Sequence, residues 1–160
     1  NFKWAKEVND DFHARFNAHA RSYEYKIHHH PVRSSLKTGY YLWEPRSLNI
    51  DDMRKAAAFL VGEHDFSCFR GSMCQAKSPI KTIEYLQIDE IDDDLIIKVK
   101  ANAFLHHMVR NLVGTLLKIG REEESPEWML SVLNSKDRKQ AGPTAEPQGL
   151  YFIKAYYQTL

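Results

Sequence analysis

Arg110 is the residue whose sequence context points most directly to a chemical role. At about 100° per residue, Leu105, Leu112 and Leu116 form the centre of an apolar helical stripe, and Arg110 lies at its edge. A guanidinium there can point along a groove between helix and sheet, where it needs a carboxylate or phosphate partner. The alternative is an arginine that packs its stem on the helix rim and keeps its charge in water.

Tyr23 and Tyr25 are the second candidate pair, because they share one face of an alternating segment, RSYEYKIHHH at 21–30. Ordinary core packing explains two such tyrosines. The alternative is an aromatic ring that stacks on a base turned out of an RNA helix. The pattern alone leaves both interpretations open.

Histidines and cysteines offer only weak metal patterns. Residues 28–30 are three adjacent histidines, which alternate between the faces of a strand, so we expect exposed histidines at a strand end. His64, Cys68 and Cys74 share a loop, but no Cys-x-x-Cys pair or fourth ligand accompanies them, so we expect two free thiols.

Other familiar motifs are missing from the sequence. His106 and His107 are neighbours rather than an i, i+4 pair, and there is no HExxH, GxxxxGK[ST] or GxGxxG. These observations argue against a zinc protease and against nucleotide-phosphate binding. We expect neither a metal nor a cofactor.

The charge distribution is uneven although the net charge is only +1. Eight of the 21 acidic residues fall in two short runs, at 89–94 and 122–124, which leaves 13 acidic residues against 22 basic ones elsewhere. That excess is enough for a positive face, and it permits RNA or DNA as a partner without proving either.

Location is indicated by the cysteines and the hydropathy pattern. Two cysteines cannot form a disulfide framework, and free thiols suit a reducing compartment. No apolar run approaches the roughly 18 residues that span a bilayer, and the charged opening NFKWAKEVNDDF lacks the apolar core of a signal peptide. We expect a cytoplasmic protein with no membrane element.

The elements that must position these residues form an α+β pattern. The sequence predicts the following order: a strand at 21–30, a short extended piece at 40–43, a helix from Asn49 to a C-cap at Gly62, an ordered loop to 79, a hairpin of 80–91 and 95–100, a helix capped by Asn102 and ending at Gly120, a short helix from Ser125, and a strand from 149. A tight turn joins the central strands. We therefore expect one domain with a mainly antiparallel sheet and helices packed on one face.

Five segments together resemble the tRNA pseudouridine synthase A family. They are DDFHARF at 10–16, RSYEY at 21–25, GEHDFSCFR at 62–70, KANAFLHHMVRN at 100–111 and GLYF at 149–152. The resemblance covers nearly the whole chain, and the HHMVRN segment is its most specific part. It implies the pseudouridine synthase fold and a cofactor-independent enzyme that isomerises uridine at positions 38–40 in the anticodon arm of tRNA. It also implies a homodimer.

The nucleophilic aspartate of that family lies in a GRTDAGVHA-like motif, which this sequence does not contain. Asp10, Asp11, Asp65 and Asp137 stand in other motifs and are not candidates for its role. The resemblance implies that residues 1–160 are a C-terminal domain, that the N-terminal domain with the catalytic aspartate is missing, and that the isolated fragment is inactive.

The resemblance also assigns roles by motif. Tyr23 in RSYEY resembles the tyrosine that stacks on the target base, and Arg110 in HHMVRN resembles the arginine that pairs with the catalytic aspartate. Leu150 in GLYF resembles an apolar wall residue of the same pocket. Candidate contacts to the anticodon arm, which would set register rather than read sequence, are Phe69, Arg70, Arg15, Arg21 and Lys77.

Two other classes of function remain open from the residues. A stand-alone RNA-binding module would explain a positive face and sheet aromatics, and a structural or dimerising domain would explain the amphipathic helices. Neither requires an arginine held at the edge of a cleft.

Overall fold

The computed structural model describes residues 5–158, which form a six-stranded sheet and three α-helices. The strands are β1 (Ala20–His29), β2 (Leu42–Glu44), β3 (Gly62–Asp65), β4 (Ile80–Ile91), β5 (Asp94–Ala101) and β6 (Leu150–Tyr156). The helices are α1 (Ile50–Ala58), α2 (Met108–Gly120) and α3 (Trp128–Ser135).

Strand β1 organises the sheet, whose order is β2-β1-β5-β4-β3 with β6 also paired to β1. One edge of β1 bonds β5 in antiparallel register, with Tyr23 opposite Val99. The other edge is shared: its first half pairs antiparallel with β6, and its end pairs parallel with β2. Tyr23 is therefore held between two neighbouring strands.

The apolar residues of the sheet and the three helices pack into one core. Its large, fully buried side chains include Tyr25 and Ile27 from β1 and Leu112 and Leu116 from α2. This arrangement confirms the predicted α+β class, with a mainly antiparallel sheet and helices on one face. Among the helices of residues 5–158, none combines the length and apolarity that a bilayer span requires.

Helix α1 begins where the sequence indicates but ends early. The Asn49 side chain accepts a hydrogen bond from the Asp52 backbone N–H at 3.1 Å, which caps the helix. Helical residues end at Ala58, so the predicted C-cap at Gly62 is wrong. Gly62 instead opens β3 with a φ of +105°, a conformation that favours glycine.

Helix α2 ends at Gly120 as predicted, but its N-terminus is not Asn102. The Asn102 side-chain oxygen accepts from the Thr82 backbone N–H at 3.0 Å and so ties the end of β5 to β4. Residues 103–107 are not helical, and His107, with a φ of +61°, is the N-cap of α2. This non-helical segment positions Phe104 beside β1.

His28 also departs from the sequence-based expectation of an exposed histidine, because its exposed fraction is only 5%. Its Nδ1 lies 2.9 Å from the Asp94 carboxylate, which also accepts a hydrogen bond of 2.6 Å from Lys37. Through Lys37, the segment that follows β1 thus folds back against His28 and covers the end of the strand.

Candidate active site

A cleft of about 520 Å³ opens between the N-terminal end of α2, the sheet and the loop before β4. Tyr23 from β1, Arg110 from α2 and Leu150 from β6 all line it. The remaining lining residues are Arg15, residues 73–76 and residues 104–109. Three predicted site residues from distant motifs therefore meet in one place.

Tyr23 is half-buried and lies edge-on to two phenylalanine rings. Its ring centroid is 5.0 Å from that of Phe104, at 83°, and 5.4 Å from that of Phe152, at 68°. Burial raises the pKa of Tyr23, and the positive charge of Arg21 opposes that rise in part. The phenol is thus a neutral aromatic group held by other aromatic groups, as a stacking platform for a base requires.

Arg110 is partly buried in the first turns of α2. Its Nε donates a hydrogen bond of 2.7 Å to the backbone oxygen of Ala145. Within residues 5–158, neither Nη atom makes a hydrogen bond. The side chain is consequently oriented by one bond and retains donors for an anionic group in the cleft.

Leu150 reaches the cleft because β6 begins there, opposite Tyr25. The preceding Gly149 makes this entry possible: a Cβ on it would lie 2.7 Å from the Lys26 backbone oxygen and 2.8 Å from the Tyr25 ring. The glycine of GLYF therefore lets β6 approach β1 closely enough to place Leu150 on the wall.

The cleft is cationic in the part of the chain that the structure describes. Its lining contains Arg15, Arg110, His106 and His107 and no aspartate or glutamate. Burial, together with the neighbouring His106 and Arg110, lowers the pKa of His107, so the fixed positive charges of the cleft are those of Arg15 and Arg110. Such a lining suits anionic groups such as phosphates and carboxylates.

Cys74 also lines the cleft, and Cys68 is buried in the core; both thiols are free. Burial raises the pKa of Cys68 to about 12. Burial also acts to raise the pKa of Cys74, but backbone N–H donors from His106 and Ala76 and the Arg70 guanidinium reverse that effect and lower it. In residues 5–158, no three His, Cys, Asp or Glu side chains converge to hold a metal ion.

The residues predicted to contact RNA differ in their exposure and in their bonds within the protein. Arg15 and Lys77 are exposed, and Arg15 lines the cleft. Arg21 donates to the backbone oxygens of Ala18, Asn102 and Arg15, so its guanidinium fastens the segment before β1.

Arg70 and Phe69 have internal partners. Arg70 donates to the backbone oxygens of Cys74 and Ala76, at 2.8 and 3.0 Å, and so shapes the loop that lines the cleft. Phe69 has no exposed surface because it lies in the core. Its prediction as a direct contact to RNA is therefore wrong: the aromatic ring that the motif contributes packs against Phe66.

Sequence reasoning missed Phe104, Phe152 and Ala145 as parts of the site. Phe104 and Phe152 stand in segments that carry the resemblance, but nothing in their spacing indicates that both rings meet Tyr23. Ala145 contributes only its backbone to Arg110, and a backbone contact leaves no trace in residue type.

Comparison with known proteins identifies the family of the chain. The model of a family described as tRNA pseudouridine synthase matches residues 56–158. That range includes Arg110 and Leu150 and ends just after β6.

Curated relatives named tRNA pseudouridine synthase A match nearly the whole chain. The relative from Chromobacterium violaceum is 53% identical over 154 residues, which are 96% of this chain and 59% of that protein. The relative from Herminiimonas arsenicoxydans is 48% identical over 159 residues, or 97% of this chain and 58% of that protein. The chain thus spans less than three-fifths of the length of these relatives.

Proposed function

This chain belongs to the tRNA pseudouridine synthase family, and on that premise we propose that it forms the C-terminal part of an enzyme that converts uridine to pseudouridine in tRNA. The substrate positions are uridines 38–40 of the anticodon arm. One observation carries the proposal: Tyr23, Arg110 and Leu150, from three distant motifs, line the same cationic cleft.

Tyr23 and Leu150 receive the target base in this proposal. A base turned out of the anticodon arm loses its stacking partners, and the ring of Tyr23, steadied by Phe104 and Phe152, replaces them. Leu150 forms the apolar wall beside it. While the base remains in this pocket, its N1–C1′ bond breaks, the base turns and C5 bonds to C1′; C5 then loses its proton to solvent, and N1 takes up a proton.

Arg110 pairs with the nucleophilic aspartate, which an N-terminal domain supplies. A carboxylate in a closed cleft needs a fixed cation to stay ionised, and the cleft that Arg110 lines contains no aspartate or glutamate from residues 5–158. Arg15 and Lys77 are exposed and contact phosphates of the anticodon arm. The protein acts in the cytoplasm, and the full-length protein forms a homodimer. Light scattering tests the homodimer by measuring the molar mass of the full-length protein in solution.

Tritium release from carbon-5-labelled uridine in tRNA tests the activity. We expect the full-length protein to release tritium and residues 1–160 alone to release none, because the GRTD-type aspartate is not in this sequence. Turnover by residues 1–160 alone would overturn the assignment of the nucleophile to another domain. No turnover by the full-length protein would overturn the proposed function.

Arg110→Ala in the full-length protein tests the role of the guanidinium. We expect single-turnover rates at saturating tRNA to fall about 100- to 1,000-fold, with a much smaller change in tRNA affinity. Arg110→Lys should restore little, since a point charge cannot present two donors in one plane. The matched control is Arg54→Ala, on the exposed side of α1, which should react at the parental rate.

A parental single-turnover rate in Arg110→Ala, accompanied only by a raised dissociation constant, would contradict the catalytic role. Arg110 would then be one more cation that contacts RNA, and the chain would act as an RNA-binding module.

A further inference from the structure

Residues 141–146, which we call the strap, lie directly against helix α2. A Cβ on Gly114 would be 1.7 Å from the Pro143 backbone oxygen, and one on Gly142 would be 2.7 Å from the Gly114 backbone oxygen. The backbones of strap and helix are therefore in contact, and glycine on both sides is what permits it.

The strap and Arg110 are joined by two reciprocal hydrogen bonds. The Ala145 backbone N–H donates to the Arg110 backbone oxygen at 3.1 Å, and the Arg110 Nε donates to the Ala145 backbone oxygen at 2.7 Å. The guanidinium is planar, so a fixed Nε–H largely sets the directions of both Nη groups. The position of the strap consequently determines where Arg110 points in the cleft.

A small polar network anchors the strap to α2. The Thr144 hydroxyl donates to the Asn111 side-chain oxygen at 2.6 Å. Arg138 donates to that same oxygen and to the Thr144 hydroxyl, both at 3.1 Å, and to the Gly142 backbone oxygen at 2.8 Å. Asn111 is itself only 1% exposed, and its Nδ2 donates a hydrogen bond of 2.7 Å to the Phe69 backbone oxygen.

We infer that Thr144 and Arg138 are positioning residues that orient the Arg110 guanidinium through the strap. Neither of them lines the cleft, so they act on the chemistry only through Ala145 and Arg110. The inference rests on the proposed function for its catalytic consequence, but the orientation of Arg110 can be measured without any activity.

A merely structural anchor would behave differently. Loss of such an anchor lowers the free energy of unfolding, but it leaves the hydrogen bond of the Arg110 Nε–H and the rate of the folded enzyme unchanged. The test therefore needs a readout of the Nε–H bond and a separation of chemical rate from RNA affinity.

Solvent exchange of the Arg110 Nε–H, measured by NMR on the full-length protein labelled with ¹⁵N-arginine, gives the first readout. Arg110→Lys assigns the signal by deleting it. Thr144→Val removes the hydroxyl and keeps the shape, and we expect it to speed exchange about 5- to 10-fold. Thr144→Ser should restore slow exchange. Thr82→Val, in β4 and outside both the strap and the lining of the cleft, is the matched control and should match the parent.

Single-turnover tritium release at saturating tRNA gives the second readout. We expect Thr144→Val to react about 5- to 10-fold more slowly with its dissociation constant for tRNA within about twofold of the parent, and Thr144→Ser to react nearly as the parent does. Arg138→Lys, which keeps the charge but loses the planar pair of donors, should shift both readouts in the same direction and serves if Thr144→Val does not fold.

Parental exchange and a parental rate in both Thr144→Val and Arg138→Lys would overturn the inference, as would a raised dissociation constant with a parental single-turnover rate. Faster Nε–H exchange in a full-length protein whose parent releases no tritium would overturn the proposed function but support the orientation of Arg110 by the strap.

Discussion

Tyr23 shows how the environment of a single residue sets its chemistry. The phenol is half-buried between Phe104 and Phe152, and Arg21 lies close enough for its charge to act on it. Burial disfavours the phenolate, which raises the pKa, and the nearby positive charge opposes that effect without cancelling it. Tyr23 therefore stays neutral across the range in which enzymes usually work.

The titration of Tyr23 is a direct prediction. In protein labelled with ¹³C at tyrosine Cζ, we expect its NMR titration midpoint to lie above 10.0, with Tyr23→Phe identifying the signal. Because the unfolded chain ionises first, the contribution of this group to stability is lost as the pH rises from the ordinary tyrosine value through the raised one. A midpoint at or below 10.0 would show that burial does not dominate.

Glu44 is a buried acid whose pKa shifts in the opposite direction from that of Tyr23. Only 1% of the residue is exposed, and its carboxylate is bound by Arg46 at 2.9 Å and by two donors of Arg121. Burial acts to raise the pKa of Glu44, but the hydrogen bonds from both arginines outweigh it, so that the pKa falls below 4.5. The carboxylate links β2 to the C-terminal end of α2.

Glu44→Gln should lower the free energy of unfolding by about 2–3 kcal/mol near neutral pH, measured by urea denaturation, because two arginines lose a charged acceptor. The folded-state pKa is lowered, so the stabilisation is present above 4.5 and is lost as the pH falls through the folded value. The difference between parent and variant should shrink accordingly in acid. Glu90→Gln, in an exposed ion pair with Arg54, should cost less than about 1 kcal/mol; equal losses would contradict the role given to burial.

The sequence motifs predicted which residues meet in one cleft, but they did not predict the direction in which every side chain points. Tyr23, Arg110 and Leu150 meet in the cleft as their motifs indicate. Phe69 and Arg70 belong to a motif too, but residue type does not show that one side chain enters the core and the other binds backbone oxygens. Those directions depend on the loop conformation, which tertiary contacts set.

At the scale of elements, helix α2 combines a predictable end with an unpredictable beginning. Gly120 ends its apolar stripe, and the structure agrees. Asn102 has the residue type of an N-cap, but its side chain bonds the neighbouring strand instead, and the chain reaches α2 through His107 in a left-handed conformation. Competition between a local cap and a cross-strand bond cannot be resolved from one segment of sequence.

Gly114→Ala tests the contact between α2 and the strap. Alanine normally stabilises a helix interior relative to glycine by roughly 0.5–1 kcal/mol. Here the added Cβ would lie 1.7 Å from the Pro143 backbone oxygen, so we expect a loss of about 1–3 kcal/mol in urea denaturation.

Gly120→Ala is the comparison within the same helix. Its Cβ would meet the Met53 side chain, at 2.5 Å from the sulfur, and a flexible methionine can move aside where a backbone oxygen cannot. Gly120→Ala should therefore cost less than Gly114→Ala. A Gly114→Ala protein as stable as the parent would mean that the strap moves freely relative to α2.

At the scale of the whole molecule, the sheet and all three helices contribute to one hydrophobic core. Apart from the β4–β5 hairpin, the most extensive pairings join distant parts of the chain, since β1 bonds both β5 and β6. Removal of any layer would expose the same core, so the elements are expected to unfold together.

Residues 1–160 alone should unfold in urea in one transition, with tryptophan fluorescence and near-UV circular dichroism giving coincident curves. Two separated transitions, or binding of a hydrophobic dye before denaturant is added, would show instead that the core needs a further domain to close.

The double pairing of β1 has a consequence for biosynthesis. β1 is the first described strand to leave the ribosome, and β6, which pairs with half of its outer edge, is the last. Until β6 has been translated, that edge carries unpaired N–H and C=O groups and is a template for pairing with other nascent chains. Completion of the sheet therefore waits for synthesis of β6, and a product truncated before Leu150 is expected to aggregate through the unpaired edge of β1.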